Sequence, residues 1–264
     1  MPKVSIVMSV YNDSAYLKKA IDSILDQTYP DFEFLITDDG STDDSSKILD
    51  EYALKDARIK IFHQKNIGLT RTLNRLIAQA SGEYIARMDS DDISLPDRLM
   101  DEVKFLDDNP SVSLISCFAK IIDDRGMEIG EHRPGVTHNQ IKKLIFFSGQ
   151  FCHGAVMFRK QAFLSVGGYD ETFKYAQDLQ LWLKFIASFE VSNLPKFLFL
   201  WRKTPGGIGV EKFKEQEKFA KLARRQSIKF GLYPKYYYLF LSWPRIRQIT
   251  PSFIKKLFKS LISQ

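Results

Sequence analysis

Three carboxylates, Asp89, Asp91 and Asp92, follow the apolar segment 83–88 almost immediately. Carboxylates this close repel one another, and each is costly to bury without a cation or a hydrogen-bond donor. In an extended segment residues i and i+2 point the same way, so Asp89 and Asp91 can face one ligand. Their oxygen atoms suit Mg²⁺ or Mn²⁺, which one or two carboxylates hold together with substrate phosphates. The pattern predicts a divalent metal site completed by a diphosphate. A solvated, Asp-rich helix cap is the alternative, but it explains only one of the three.

Short apolar runs and segments with helical spacing alternate along the first hundred residues. We predict strands at 4–10, 32–37, 58–63 and 83–88, and helices at 14–27, 42–54 and 70–80. Repeated strand–helix units of this length indicate a parallel sheet covered on both faces. In such sheets ligands bind outside the carboxyl ends of the strands.

Polar clusters follow each of the four predicted strands, at 11–13, 38–43, 64–68 and 89–92. Any one of them is a plausible turn, because Asn, Asp, Gly and Ser favour turns. Four clusters at one edge of a sheet instead predict a ligand site.

A nucleotide is one ligand that fits this edge, since a carboxylate such as Asp38 or Asp39 can accept from a base or a ribose. No GxGxxG follows the first strand and no GxxxxGK[ST] occurs in the chain. Their absence argues against NAD and against a P-loop ATPase. A nucleotide bound here would have its phosphates held by the metal.

The second half of the chain is less regular. We predict helices at 95–110 and 138–149, a Gly-rich turn opening a helix within 167–187, and strands at 111–123, 154–159 and 197–202. No Ser/Gly-rich linker divides the body. We expect one catalytic domain over 1–209, formed by halves 1–95 and 96–209, followed by a basic helical tail over 210–264.

Several motifs, in order, resemble those of family 2 inverting glycosyltransferases with the GT-A fold. They read "VSIVMSVYNDSAYLKKAIDSILDQTYPDFEFLITDDGSTDDS", "KNIGLTRTLN", "SGEYIARMDSDD" and "GGYDETFKYAQDLQLWLK", and the match covers roughly residues 3–200. The resemblance implies an α/β fold with a mostly parallel central sheet, its Rossmann-like nucleotide half fused to an acceptor half. It implies transfer of a sugar from a nucleoside diphosphate sugar, usually a UDP-sugar, to an acceptor hydroxyl.

The same resemblance assigns residues to the donor. The implied donor-binding residues are Tyr11, Asn12, Asp38, Asp39, Asn66, Gly68, Arg71, Asp89 and Ser90. Asp38 would contact the base, and Arg71 would lie near the base or the phosphates. Asp89 and Asp91 would be the Asp-x-Asp pair, with Asp91 nearest the Mn²⁺ or Mg²⁺ ion.

Asp178 is the catalytic base that the resemblance implies. Inversion at an anomeric carbon needs a base opposite the leaving diphosphate and positive charge on that leaving group. No covalent intermediate forms, so a second catalytic carboxylate is unnecessary. The family more often has Glu-Asp where this chain has Gln177-Asp178, which makes Gln177 a candidate acceptor contact. Alternatively, Asp178 only stabilises the dipole of the helix it begins.

Two further residues are candidates for contacts with the acceptor or the leaving group. Cys152 and His153 are adjacent, and on a strand they point to opposite faces, which makes them a poor catalytic dyad. The resemblance places His153 on the acceptor side, as a contact or as a wall residue. Arg202 stands where relatives often carry an arginine, and 203–209 could form a glycine-hinged lid.

Positive charge is concentrated at the end of the chain. The net charge is +6, yet residues 196–264 contain 16 Lys and Arg against three Asp and Glu. Within 253–262 the apolar and lysine side chains fall on opposite halves of a helical wheel. This pattern predicts binding to an anionic membrane surface, near a glycan or lipid-linked acceptor. A helix packed on the body is the alternative. No nucleic-acid-binding motif is present.

The remaining features favour a cytoplasmic protein at the inner face of the membrane. Two cysteines are too few for a disulfide framework. No signal-peptide pattern and no apolar run of the roughly 18–20 residues needed to span a bilayer occur. Two other functions stay open. A sugar nucleotidyltransferase would carry a Gly-rich basic first loop, where this chain has "SVYND". An inactive nucleotide-sugar-binding protein would have no need of Asp89, Asp91 and Asp178.

Overall fold

Four parallel strands form the first half of the sheet in the computed structural model, which describes residues 1–204 and 212–241. The strands are β1 (Val4–Val10), β2 (Phe32–Asp38), β3 (Ile59–His63) and β4 (Tyr84–Arg87). The helices between them are α1 (Ser14–Leu25), α2 (Ser45–Ala53) and α3 (Leu69–Gln79). The spatial order is β3-β2-β1-β4, and every pair is parallel. The predicted alternation is confirmed, and the four carboxyl ends meet at one edge.

The second half extends this sheet with a mixed arrangement. Its strands are β5 (Ile93–Ser94), β6 (Val112–Ile122), β7 (Glu128–His132), β8 (Met157–Arg159) and β9 (Glu190–Arg202). Its helices are α4 (Arg98–Asp108), α5 (His138–Ile145), α6 (Lys160–Ser165), α7 (Gln177–Ser188) and α8 (Phe213–Lys229). The order continues β4-β8-β6-β9-β5, with β7 on β6. Only β6 and β9 are parallel among these pairs.

Three differences from the prediction lie in this half. Strands β5 and β7 and helix α6 were not predicted. Strand β8 begins at Met157, because His153–Ala155 forms a 3₁₀ turn and not part of a strand. Strand β9 begins at Glu190, earlier than the predicted 197.

The apolar core lies on both faces of the sheet. Side chains alternate along β1, so Ile6 and Met8 face one helical layer and Val7 faces the other. The first layer contains α1, α2 and α4, and the second contains α3, α5, α6, α7 and α8. Every residue of β2 is buried, as expected for a strand covered on both faces.

Helix α8 and the turn after it pack on the second layer. The guanidinium of Arg224 donates to the Phe146 carbonyl at 2.7 Å, and the Tyr233 hydroxyl donates to the Lys142 carbonyl at 2.6 Å. Ala223 and Ile228 are buried in the same core. The amphipathic segment 253–262 lies outside the described residues. Within 1–204 and 212–241, no helix has the length and apolarity to cross a bilayer.

Arg98, buried in α4 beside Glu102, joins two segments at the edge of the sheet. Arg98 and Glu102 are fully buried and 3.7 Å apart. Arg98 also donates to the Gly154 carbonyl at 2.8 Å and to the Arg87 carbonyl at 3.2 Å. It thereby connects the end of β4 to the 153–155 turn. Burial raises the pKa of Glu102 to about 8, although Arg98 acts in the opposite direction.

We expect the free energy of unfolding of Glu102→Gln to rise relative to that of the wild type as pH increases from 5 to 8. The unfolded carboxyl ionises near pH 4.5, whereas the folded one keeps its proton to about pH 8. The folded state therefore binds more protons in this window, and wild-type stability falls as pH rises. Glutamine does not titrate, so the gain reaches on the order of 2–4 kcal/mol at pH 8. Urea unfolding of both proteins at several pH values measures it. A gain independent of pH would contradict a buried, protonated Glu102.

Candidate active site

The loops after β1 and β2 are hydrogen-bonded to each other. Asn12 has a left-handed backbone, with φ of 54°. Its side-chain oxygen accepts from the Thr42 amide at 2.7 Å, and its own amide donates to the Ser41 hydroxyl at 3.1 Å. Tyr11 is 52% exposed beside this junction. Asn12 therefore shapes the loop, and Tyr11 presents an aromatic surface at the edge of the sheet.

Asp38 and Asp39 are buried and bonded to protein donors. Asp38 accepts from the Ser41 amide at 2.9 Å, from the Ser46 hydroxyl, and contacts His63 Nδ1 at 3.2 Å. These donors outweigh burial and lower the pKa of Asp38, so it is ionised at neutral pH. The contact between Asp38 and the nucleotide base stays a prediction. To make it, Asp38 would have to give up one of its hydrogen bonds within the protein and accept from the base instead.

Asp39 holds the loop after β3. Its carboxylate accepts from the amides of Ile67 and Gly68 at 3.0 and 2.9 Å, and from the Gln64 side chain at 2.7 Å. Gly40 packs against the same loop, since a Cβ there would lie 2.8 Å from the Asn66 nitrogen. Asp39 thus positions the segment that leads into Arg71.

A cleft of about 950 Å³ opens beside this segment. Its described walls are the 66–71 segment, residues 171 and 173–178, and the first half of α8. In the wall of this cleft, Arg71 Nε lies 3.3 Å from a carboxylate oxygen of Glu171. Asn66, Gly68, Gln177 and Asp178 all line it. The structure therefore brings the predicted base into one cleft with three predicted donor residues.

Asp178 lies in the first turn of α7, just after Ala176, whose φ of 53° is left-handed. Among the described residues its carboxylate has no hydrogen-bond or ion-pair partner. The negative charges of Asp178 and Asp89 both act on His153 and on Tyr169. Asp178 and Asp89 are thus neighbours of one pair of side chains, although Asp89 is not part of the cleft wall described above.

His153 and Tyr169 form that pair. His153 Nε2 and the Tyr169 hydroxyl are 2.8 Å apart, and burial, followed by the positive charge of Arg87, lowers the pKa of His153. The imidazole is therefore neutral at pH 7. Cys152 is no nucleophile, because burial raises the pKa of its thiol well above the ordinary value. The strand geometry predicted for 152–153 was wrong, although its conclusion against a dyad holds.

An acidic cluster lies at the end of β4. Asp13 accepts from the Ser90 hydroxyl, and Asp89 is paired with Arg87. A Cβ on Gly154 would lie 2.9 Å from an oxygen of Asp89 and of Asp92, so the 153–155 turn packs against both carboxylates. The hydrogen bond from Ser90 to Asp13 joins the loop after β4 to the loop after β1.

This cluster carries more negative charge than its surroundings balance. Burial, and then the charge of Asp89, raises the pKa of Asp91 to about 7. Burial and Asp91 raise the pKa of Asp92 well above its ordinary value, and burial raises that of Asp13. A divalent cation would relieve this repulsion, and oxygen ligands suit Mg²⁺ or Mn²⁺. Within the described residues, no group of three or more His, Cys, Asp or Glu could hold a metal.

Arg202 supports the acidic loop from the end of β9. Its amide donates to Asp92 at 2.7 Å, and its Nε donates to the Asp91 carbonyl at 2.7 Å. Its guanidinium also donates to the Asp123 carbonyl at 2.8 Å and lies 4.4 Å from the ring of Tyr16. These contacts favour a positioning role, and leaving-group assistance by Arg202 stays a prediction. Most of the predicted lid, residues 205–209 of 203–209, lies outside the described residues.

Three residues of this site were missed by sequence reasoning. Asp13 belongs to the polar cluster 11–13 predicted at this edge but was not singled out. Tyr169 gave no distinguishing signal, because its partner His153 is distant in sequence. Arg87 did give one, since a charged residue inside an apolar strand, two positions before Asp89, requires a nearby anion.

A parallel nucleotide-binding half, a mixed second half and acidic residues at the strand ends define the GT-A class of glycosyltransferases. Solved structures agree on the fold. TarS from S. aureus with UDP-GlcNAc matches with a TM-score of 0.69 at 22% identity, over 84% of this chain and 66% of that chain. The mannosyltransferase PcManGT from Pyrobaculum calidifontis, with GDP-Man and Mn²⁺, matches with a TM-score of 0.69 at 19% identity, over 92% and 68%.

The chain belongs to glycosyl transferase family 2, whose family model matches residues 5–167. It is similar to the putative glycosyltransferase EpsE of Bacillus subtilis, with 32% identity over 95% of this chain and 91% of EpsE. It is also similar to the O-antigen biosynthesis glycosyltransferase WbnJ of Escherichia coli, with 34% identity over 69% and 71%. The predicted family and GT-A fold are confirmed.

Proposed function

We propose that the chain transfers a sugar from a nucleoside diphosphate sugar, with UDP-sugars foremost, to an acceptor hydroxyl with inversion. The observation that carries this proposal is the carboxylate of Asp178, which has no hydrogen-bond or ion-pair partner among the described residues and lines one cleft with Arg71. Its charge and that of Asp89 both act on His153. UDP-GlcNAc in TarS and GDP-Man in PcManGT support a nucleotide sugar as donor.

In this mechanism Asp178 accepts the proton of the acceptor hydroxyl while the acceptor oxygen forms a bond to the anomeric carbon. The bond from that carbon to the diphosphate breaks, and the electron pair leaves with the diphosphate. A Mn²⁺ or Mg²⁺ ion held by Asp89 and Asp91 would supply positive charge to the leaving diphosphate. Arg71 adds a cation on the donor side of the cleft. Tyr11 is available to stack on the base, and Asn12 keeps its loop in place.

We also propose contacts with the acceptor. His153 is neutral and bonded to Tyr169, so it is suited to hydrogen-bond a sugar hydroxyl but carries no charge for a phosphate. Gln177 precedes Asp178 on the cleft wall and can bond a second hydroxyl of the acceptor. The WbnJ name supports a role in assembling a surface polysaccharide or glycolipid.

Placement at the inner face of the cell membrane is part of this proposal. Helix α8 exposes Lys214, Lys218 and Arg225, which favours an anionic surface over an uncharged one. Because α8 packs on the second helical layer, we assign 212–241 to the acceptor half. We assign the membrane-anchoring role to residues 242–264.

Release of UDP or GDP from a panel of nucleotide sugars tests the proposed function. Purified protein is mixed with UDP-glucose, UDP-galactose, UDP-GlcNAc or GDP-mannose, with Mn²⁺ or with EDTA, and with membrane lipid extract as acceptor. We expect one donor to release its nucleotide only with Mn²⁺, faster when acceptor is present. Binding without release would support the inactive binding protein. Release of pyrophosphate from sugar phosphate and UTP would support the nucleotidyltransferase.

A further inference from the structure

Arg87 is a buried cation next to the proposed metal ligands. Its side chain is 1% exposed, and Nη2 donates to a carboxylate oxygen of Asp89. Its Nε and Nη1 have no hydrogen-bond partner among the described residues. The ion pair with Asp89 is therefore the direct contact through which its charge is balanced in the described structure.

The backbone of Arg87 is fixed on both sides. Its amide donates to the Val156 carbonyl at 2.8 Å, and its carbonyl accepts from Arg98 at 3.2 Å. An exposed arginine could turn into water when a metal ion approached its carboxylate partner. The Arg87 side chain is 1% exposed, so moving its guanidinium into water would require the surrounding core to open.

A metal ion that binds Asp89 must therefore share this carboxylate with a fixed positive charge. Like charges at short distance repel strongly, and more so where water is excluded. The diphosphate of a bound nucleotide brings the negative charge that removes this repulsion. We propose that Arg87 is a positioning residue that makes divalent-cation binding at Asp89 and Asp91 conditional on the nucleotide diphosphate. This inference rests on the proposed function of the same site.

Reciprocity follows from this coupling. If UDP raises the affinity for Mn²⁺ by some factor, Mn²⁺ raises the affinity for UDP by the same factor. Without a donor, Asp89 stays paired with Arg87 and the metal site is weak. The wild-type protein is thus expected to take up metal and nucleotide together.

Titration of Mn²⁺, followed by the electron paramagnetic resonance signal of the free ion, measures this coupling without any turnover. It is carried out with and without UDP on the wild type, Arg87→Met and Arg87→Lys. We expect Arg87→Met to bind Mn²⁺ alone about tenfold more tightly, within the usual range of site coupling. UDP should then raise the Mn²⁺ affinity of this variant by a smaller factor than it raises that of the wild type. Arg87→Lys keeps the charge and should resemble the wild type.

Two controls separate this effect from a change in the fold. Arg58→Met removes one positive charge from a pair with Asp56, away from the acidic cluster, and should leave Mn²⁺ binding unchanged. In an Asp89→Asn background, Arg87→Met should no longer alter Mn²⁺ affinity. Arg87→Gln serves as the test variant if the methionine variant does not fold, as judged by circular dichroism.

The outcomes distinguish the two proposals. A folded Arg87→Met or Arg87→Gln protein with wild-type Mn²⁺ affinity and wild-type UDP enhancement overturns the role of Arg87 and leaves the proposed function standing. A wild-type protein that binds neither UDP nor Mn²⁺, alone or together, overturns both. Weaker Mn²⁺ binding in Arg87→Met would show that the arginine orients Asp89 toward the ion, which also contradicts the coupling.

Discussion

Asp178→Asn is expected to lower the rate of sugar transfer by about a thousandfold, while UDP binding stays within a few-fold of the wild type. Asparagine has nearly the same shape but cannot accept the acceptor proton, and a positioned general base contributes roughly 10²–10⁴ in rate. Because the Asp178 carboxylate has no partner among the described residues, the substitution breaks no ion pair or hydrogen bond. The fold should be unaffected.

Comparison of transfer rate with UDP affinity measures this effect. Glu171→Gln is the matched control, since it neutralises another carboxylate of the same cleft, one paired with Arg71. We expect it to change the rate only several-fold. If Asp178→Asn transferred sugar as fast as the wild type, Asp178 would be a helix-dipole residue and the base would lie elsewhere.

Asp91→Asn is expected to reduce kcat/KM by about a thousandfold and to abolish the effect of Mn²⁺ on UDP binding. Loss of one of two carboxylate ligands leaves the ion without a stable site on the protein. The same substitution should raise the thermal unfolding temperature of the ligand-free protein. The reason is that burial and Asp89 raise the pKa of Asp91 to about 7, so its ionised form is destabilising at higher pH.

Calorimetric titration of UDP and thermal unfolding at pH 8, both with and without Mn²⁺, examine these two effects. Asp108→Asn, on the exposed face of α4 and paired with Lys104, is a control that also removes one negative charge. We expect it to change neither the effect of Mn²⁺ on UDP binding nor the thermal unfolding temperature. Metal-dependent UDP binding retained in Asp91→Asn would place the ion on other ligands.

Periodicity predicted the first half of the fold because strands and helices alternate there regularly. Strands β1 and β2 are seven-residue, mainly apolar segments, and α1 and α3 bury one face each. Strand β5 has two residues, too few to show a period. Strand β7, "EIGEH", has no buried residue, so no apolar pattern distinguishes it from a loop. The 153–155 turn depends on contacts with Asp89 and Asp92, which no local pattern encodes.

The site was predictable where residue types converge on one edge of the sheet. The sequence placed Asp89, Asp91 and Asp178 correctly at the ends of their elements, because helix starts and strand ends have local signals. It did not reveal that Asp38 and Asp39 are bonded within the protein. The donors to Asp39 come from the loop after β3, whereas Asp38 also accepts from the nearby Ser41 and Ser46. The sequence also did not reveal the pairing of Arg87 with Asp89 or the support from Arg202. The contacts of Arg202 depend on the sheet order, which periodicity does not supply.

Calorimetric titration of UDP into the wild-type protein, once with Mn²⁺ and once with EDTA, tests the central claim most directly. The acidic loop at the end of β4 is proposed to hold a diphosphate through a divalent ion. We predict that UDP binds at least tenfold more tightly with Mn²⁺, because the ion gives the diphosphate its main contact with the protein. Equal affinity under both conditions would contradict this account.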